Sequence, residues 1–129
     1  MSDQLDDDVL DFAHLMFELA RDGDASTLTA NLGAGLPANL TNHTGDTLLL
    51  LAAYHDHPGA VRVLLDAGAD TGRINDRGQT ALGAAVFRRS AQSVALLLAA
   101  GADPALGSPS ALDVARFFDL PEMLAQLYG

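Results

Sequence analysis

The chain has 129 residues and a formal net charge of −10, and it contains neither cysteine nor lysine. The length suits one ordinary domain, and the lack of cysteine excludes disulfides and cysteine-ligated zinc. The acidic charge argues against nucleic acid as a partner, because binding a polyphosphate needs several cationic contacts.

The N-terminal stretch, MSDQLDDDVLDF, is acidic where a secretory signal peptide would be basic. The longest run free of charged and polar residues, VALLLAAGA, is far shorter than the ~20 residues that span a bilayer. We therefore expect a cytoplasmic protein that does not contact membranes. Residues 1–11 are interpreted as an acidic tail or the start of a helix.

A 33-residue repeat dominates the rest of the chain. Residues 45–70, GDTLLLLAAYHDHPGAVRVLLDAGAD, align without a gap on residues 78–103, GQTALGAAVFRRSAQSVALLLAAGAD. A period of this length is typical of a helix–turn–helix unit stacked in an array. Leu, Ala and Val supply most of the apolar residues and only 5% of the chain is aromatic, which favours closely packed helices over a sandwich or barrel.

Each unit contains the signals of two short helices. Thr47 and Thr80 precede apolar runs and are predicted to cap the first helix. After a polar turn, apolar residues at i, i+3 and i+4 predict a second helix. Gly68 and Gly101 follow it where a left-handed stop is needed. Neither helix can bury its apolar face alone, so stacking of neighbouring units is expected.

Weaker copies of the same pattern flank the two clear units. We predict a single domain, 1–129, in which residues 12–41 and 108–129 form capping repeats around full repeats at 42–74 and 75–107. Terminal repeats of such arrays are usually atypical because only one of their faces meets a neighbour.

The pattern resembles the ankyrin repeat, which reads G-x-T-P-L-H-x-A-A and ends L-L-x-x-G-A-D. The matching residues are Gly45, Thr47, Leu49, Ala52, Ala53, His57, Leu64, Leu65, Gly68, Ala69 and Asp70, and then Gly78, Thr80, Leu82, Ala85, Leu97, Leu98, Gly101, Ala102 and Asp103. The resemblance implies an all-α solenoid of about four stacked helix–turn–helix repeats joined by hairpin-like loops.

Two departures from the ankyrin pattern have structural consequences. Leu50 and Gly83 replace the histidine of the first helix, which implies the loss of a hydrogen-bond network between neighbouring loops. Asp56, Arg89 and Asp119 replace the glycine between the helices. Asp tolerates the left-handed conformation fairly well, whereas Arg adopts it at a cost.

The resemblance also implies a non-catalytic module that binds another protein through loop tips and the exposed side of the first helices. Tyr54, Phe87 and Phe117 occupy one position in three successive repeats, and Phe118 follows as a contact, core or cap residue. They form either a contact stripe or a cover over the helix turns. The implied partner-binding residues are His43, Asp46, Tyr54, His55, Asp76, Arg77, Gln79, Phe87, Arg88 and Phe117.

Two other functions remain open. His55, Asp56 and His57 include acceptable metal ligands, although side chains at i and i+2 diverge, and we expect neither a metal nor a cofactor. The sequence lacks the Gly-x-Ser-x-Gly motif that would indicate a serine-dependent enzyme. A structural dimerisation unit is the other alternative, so we expect a monomer but also consider a homodimer. An inhibitor, an antidote or an accessory factor would each fit.

Overall fold

The computed structural model describes the backbone of residues 2–129 and the side chains of residues 11–129. This part of the chain folds into eight helices. Their bounds are α1 Ser2–Asp22, α2 Ala25–Gly33, α3 Leu48–Tyr54, α4 Pro58–Asp66, α5 Ala81–Phe87, α6 Ala91–Ala99, α7 Ala111–Phe117 and α8 Pro121–Tyr128.

The helices stack as four consecutive pairs in two layers. Within each pair the two helices pack together, from α1 with α2 to α7 with α8. The first helices, α1, α3, α5 and α7, form one layer, and the second helices, α2, α4, α6 and α8, form the other. This arrangement confirms the all-α solenoid predicted from the repeat. Helix α1 is the longest because it runs from Ser2 through most of the acidic N-terminal stretch.

Hydroxyl side chains begin the first helices of the last three pairs. Thr47 accepts a hydrogen bond from the Leu50 amide, and Thr80 accepts one from the Gly83 amide. Ser110 and Asp113 form a reciprocal capping box at the start of α7. Each cap satisfies amides that the helix leaves free and contributes about 1 kcal/mol. The caps predicted at Thr47 and Thr80 are confirmed.

The second helices end at left-handed glycines, as predicted. Gly68 and Gly101 have φ values of 87° and 93°. A Cβ added at either position would have no heavy atom within 4 Å. The requirement for glycine is therefore conformational rather than steric, because an L-residue is strained at such a φ whatever the space around it.

The turns between the helices of the last three pairs also adopt the left-handed conformation, but without glycine. Asp56, Arg89 and Asp119 have φ values of 60°, 56° and 52°. Asp is one of the residues that visit this region most readily, whereas a long side chain such as Arg does so at a cost of roughly 1 kcal/mol. The repeat thus contains strain at Arg89.

The core lies between the two layers and consists mainly of Ala, Leu and Val. Ala52, Ala53 and Ala85 are fully buried on the first helices, opposite buried Leu64 and Leu97 on the second helices. Small Ala side chains let the backbones of neighbouring helices approach closely, and the Leu side chains fill the remaining space. The core is therefore continuous from one pair to the next, as stacking requires.

A different hydrogen-bond network replaces the one implied to be lost with the family histidine. The Asn42 side-chain oxygen accepts hydrogen bonds from the Thr44 and Asp46 amides. Asn75, 33 residues later, accepts equivalent bonds from the Arg77 and Gln79 amides. Each asparagine thereby holds the tip of one loop in a tight turn.

The loops of successive repeats are also joined to each other. The Asp76 amide donates to the Thr44 carbonyl at 3.0 Å, and the Ser108 amide donates to the Gly78 carbonyl at 2.9 Å. A Cβ on Gly78 would lie 2.3 Å from the Ser108 carbonyl oxygen. Glycine is thus needed at this position for the close approach of the two loops.

Candidate functional site

Three aromatic rings line up across the layer of first helices. The Tyr54 and Phe87 rings are stacked, with centroids 6.1 Å apart and planes within 5° of parallel. Phe118 meets Phe87 edge to face at 5.7 Å. All three side chains remain at least 40% exposed. These residues, which we call the aromatic strip, form an exposed apolar surface that crosses three repeats.

The structure assigns the last ring of the strip to Phe118 rather than to Phe117. Phe117 ends α7 at the repeat position of Tyr54 and Phe87. Its side chain is 82% exposed, and its ring lies 4.9 Å from that of Phe118. Phe118 follows as the C-cap of α7 and supplies the ring that contacts Phe87. The repeat register identified the right turn but not the residue that faces Phe87.

A cavity of about 220 Å³ opens beside the aromatic strip. Gly83 and Ala84 of α5 lie on one side of it, and Pro109 and Val114 of the next repeat lie on the other. The lining is largely apolar, and its polar groups come from Tyr54, Gln79 and Thr80. The strip is therefore not flat but contains a recess between α5 and α7.

Positive charge is concentrated at one border of the strip. Arg88 and Arg89 are exposed, and the Arg89 guanidinium lies 5.9 Å from the centroid of the Phe118 ring. Among residues 11–129, neither arginine forms a salt bridge. A cation over an aromatic face is stabilised by the ring quadrupole. Both charges thus remain available to an external anion.

His55 lies at the Tyr54 end of the strip. Its ring packs edge to face on Tyr54 at 5.2 Å. Burial lowers the pKa of His55, and the nearby charges of His57, Arg21 and Arg88 lower it further. The lowered pKa favours the neutral imidazole, so the positive charge at this surface comes mainly from the arginines.

The loop tips carry the other predicted partner-binding residues. His43, Asp76 and Arg77 are exposed, next to the turns held by Asn42 and Asn75. Their exposure is compatible with the predicted binding role.

Asp46 is a correction to the set of predicted partner-binding residues. Its side chain is only 7% exposed. One carboxylate oxygen accepts a hydrogen bond from the Asn75 amide at 2.8 Å, and the other accepts from Thr44. Burial raises the pKa of Asp46, but hydrogen bonds from Asn75, Thr44 and Asn42, together with the charge of Arg77, lower it more. Asp46 is thus an ionised part of the scaffold.

Gln79 also belongs partly to this scaffold. Its side-chain oxygen accepts a hydrogen bond from the Asn75 side-chain amide at 2.9 Å, and the side chain is half-buried. Asn42 and Asn75, which organise the loops, were not among the residues predicted from the sequence. Their recurrence at the repeat interval was the signal that would have identified them.

The His-Asp-His turn does not assemble a metal site. His57 Nε2 lies 2.7 Å from the carbonyl oxygen of Arg21. A carbonyl can only accept, so this nitrogen carries the proton and cannot bind a metal. His55 packs on Tyr54 instead, and Asp56 occupies the left-handed turn. Among residues 11–129, no three His, Asp or Glu side chains are placed to hold a metal ion.

His57 instead joins the first repeat to the second. Its hydrogen bond to the Arg21 carbonyl satisfies an acceptor at the end of α1. Gly23, with a φ of 74°, lies so close that an added Cβ would be 2.5 Å from the His57 ring. The backbone bend at Gly23 and the imidazole therefore fit together as one inter-repeat contact.

No helix among residues 2–129 combines the length and the apolar character required to cross a membrane.

These features define a class of protein, the helical repeat solenoid, in which helices stack as consecutive pairs in two layers and tight loops join the pairs. A family model for ankyrin repeats matches residues 15–107 as three copies. The chain belongs to the ankyrin repeat family, and the resemblance found in the sequence is confirmed.

Two similar proteins place the chain in context. The ankyrin repeat protein PA3287 of Pseudomonas aeruginosa is 48% identical over 60 residues, which cover 46% of this chain and 35% of that protein. The crystal structure of the human ASB11 ankyrin repeat domain matches with a TM-score of 0.67 and 28% identity, over 69% of this chain and 40% of that one. The chain thus matches about a third of the length of its Pseudomonas relative. Ankyrin repeats are general protein–protein interaction modules.

Proposed function

We propose that this chain is a non-catalytic protein-binding module whose contact surface is the aromatic strip with its flanking arginines and loop tips. The observation that best supports this proposal is the exposed cluster of the Tyr54, Phe87 and Phe118 rings across three repeats. Apolar rings that pack against one another yet remain exposed are costly in water and are typical of surfaces that a partner covers.

The composition of the surface supports tight binding from few residues. Aromatic residues and arginine are enriched among interface hot spots, where truncation of one side chain costs about 2 kcal/mol or more. The strip rings already contact one another, so binding orders few additional rotamers. The hydrogen-bonded loops at Asn42 and Asn75 hold the neighbouring tips in place. We propose that His43, Asp76 and Arg77 contact the partner at these tips.

The proposal extends to the setting in which binding occurs. We propose a cytoplasmic monomer that acts on its partner as an inhibitor, an antidote or an accessory factor. The net charge of −10 opposes self-association and favours the monomer over a homodimer. Sedimentation equilibrium tests this point, because a dimer that dissociates on Phe87→Ala substitution would show that the strip binds a second copy instead.

Affinity capture from native cell extract tests the proposed surface. The bait is the full chain, compared with the strip variant Tyr54→Ala/Phe87→Ala/Arg88→Ala. Arg62→Ala on the exposed side of α4 is the matched control, because α4 belongs to the other helix layer. The proposal predicts a protein retained by the wild type and the control but lost from the strip variant. Equal capture by all three baits would reject it.

A further inference from the structure

We infer that the cavity beside Phe87 is a socket for one large apolar side chain from an acidic segment of the partner protein. This inference rests on the proposed function and specifies the partner chemistry. It combines three observations, which are the origin of the cavity, its apolar lining and the free cations at its border.

The cavity exists because one repeat lacks two side chains that the preceding repeat has. Gly83 and Ala84 of α5 occupy the repeat positions of Leu50 and Leu51 in α3. Both leucines are buried, at 4% and 7% exposure, so they fill the corresponding space one repeat earlier. The recess is therefore a local property of the third helix pair rather than a general feature of the fold.

The dimensions and chemistry of the recess suit an apolar group. A cavity of about 150 Å³ lined by apolar side chains is large enough to bind benzene, and this one measures about 220 Å³. The hydroxyl of Thr80, a polar group in the lining, already accepts a hydrogen bond from the Gly83 amide. Among residues 11–129, the one buried side-chain polar atom without a partner is Ser93 Oγ, which lies on α6 and does not line the cavity. The recess therefore offers mainly apolar contacts, and the Tyr54 hydroxyl and the Gln79 side-chain amide are the other polar groups of its lining.

The border of the socket selects for negative charge. Residues 77–107 carry a net charge of +2 and residues 108–129 a net charge of −2. The charged residues that adjoin Phe87 and Phe118 in a shallow depression are Arg88 and Arg89. Asp119, exposed after Phe118, and Glu122, which lines a neighbouring depression with Arg89, offset part of this charge. Carboxylates beside the apolar anchor would pair with the arginines, whereas a basic segment would be repelled. The partner feature is thus an apolar residue flanked by Asp or Glu.

Three capped peptides test the inference on the full chain. The first is Asp-Glu-Phe-Glu-Asp, the second replaces Phe by Ala, and the third replaces the four acidic residues by Lys. Two-dimensional amide NMR should show saturable shifts at the Gly83 and Phe87 amides with the first peptide, at a Kd at least tenfold below those of the other two. Absence of saturable shifts up to about 1 mM, which corresponds to roughly 4 kcal/mol of binding, would overturn the inference.

Socket and charge variants separate the two parts of the inference. Ala84→Leu fills the recess as Leu51 does and should weaken the first peptide at least tenfold, whereas Ala95→Leu on the exposed side of α6 should not. Arg88→Glu/Arg89→Glu should abolish the preference over the Lys peptide, whereas Arg62→Glu should preserve it. If circular dichroism shows that Ala84→Leu does not fold, the test rests on Arg88→Glu/Arg89→Glu. A preserved preference of this variant for the acidic peptide would contradict the inference.

The outcome is distinguishable from failure of the proposed function. If the strip variant loses a captured protein but no peptide binds at the socket, the inference fails and the proposed function stands. If the wild-type bait retains no protein that the strip variant loses, and no peptide binds, then the inference and the proposed function both fail.

Discussion

The Asn75 side-chain amide donates a hydrogen bond of 2.8 Å to the carboxylate of Asp46, one repeat earlier in the chain. The Asn75 side-chain oxygen also accepts hydrogen bonds from the Arg77 and Gln79 amides of its own loop. One buried residue therefore holds a turn and connects it to the preceding repeat. The stacking of this solenoid thus depends on polar loop contacts as well as on the apolar layers between helices.

Replacement of Asn75 should therefore destabilise the whole domain. Asn75→Ala leaves the Arg77 and Gln79 amides and the Asp46 carboxylate without their partner, and each buried unsatisfied group costs about 1–3 kcal/mol. We expect the free energy of unfolding to fall by about 3 kcal/mol in urea denaturation. Gln92→Ala, at an exposed site on α6, should change it by less than about 0.5 kcal/mol. Equal stabilities for the two variants would show that the loop network is unimportant.

Asp46 should make stability depend on acidity. Its pKa is lowered from the usual 3.8 in the folded state. The stabilisation is therefore present above about pH 4 and is lost as the pH falls through the folded pKa. Asp46→Asn should be less stable than wild type at pH 7. Between about pH 5 and pH 2, which brackets the transition, the variant should lose less stability than wild type does. Parallel stability–pH curves for wild type and variant would contradict the assignment.

The two kinds of left-handed residue should respond oppositely to substitution. Arg89→Gly should raise the free energy of unfolding by about 1 kcal/mol, because glycine adopts a φ of 56° without strain. Gly101→Ala should lower it by a similar amount, since alanine is strained at a φ of 93°. Thermal denaturation measures both. A destabilising Arg89→Gly would show that the side chain contributes more to folding, through its contact with Phe118, than its strain costs.

Zinc should not stabilise the protein through the His-Asp-His turn. The proton on His57 Nε2 is committed to the Arg21 carbonyl, and the ring is packed against Gly23. We expect an unchanged melting temperature with excess zinc in the wild type. His57→Ala should melt lower, by about 1 kcal/mol of stability, because a hydrogen bond between repeats is lost. A zinc-dependent increase in melting temperature that His57→Ala abolishes would restore the metal hypothesis.

The sequence predicted the local signals of the fold because these signals act over short distances. A helix cap depends only on the adjacent turn of helix, and this holds for the N-caps Thr47 and Thr80 and for the helix-terminating Gly68 and Gly101. The 33-residue interval then predicted where these signals recur. The left-handed turns at Asp56 and Arg89 followed from the same register.

Features that depend on contacts between repeats were harder to predict. Asp46 is buried and accepts a hydrogen bond from Asn75 of the next loop, a contact that the sequence of its own loop does not specify. Phe117 and Phe118 are adjacent aromatic residues, so the register alone did not decide which ring meets Phe87. The socket at Gly83 became visible only when the next repeat supplied its opposite side.

The most direct test of the account is the affinity of a captured partner, purified and titrated calorimetrically against matched variants. The strip variant Tyr54→Ala/Phe87→Ala/Arg88→Ala should bind at least a hundredfold more weakly than wild type, about 2.7 kcal/mol, while remaining folded. The control Arg62→Ala should bind like wild type. Unchanged affinity of the strip variant, or an equal loss in the control, would contradict binding through the aromatic strip.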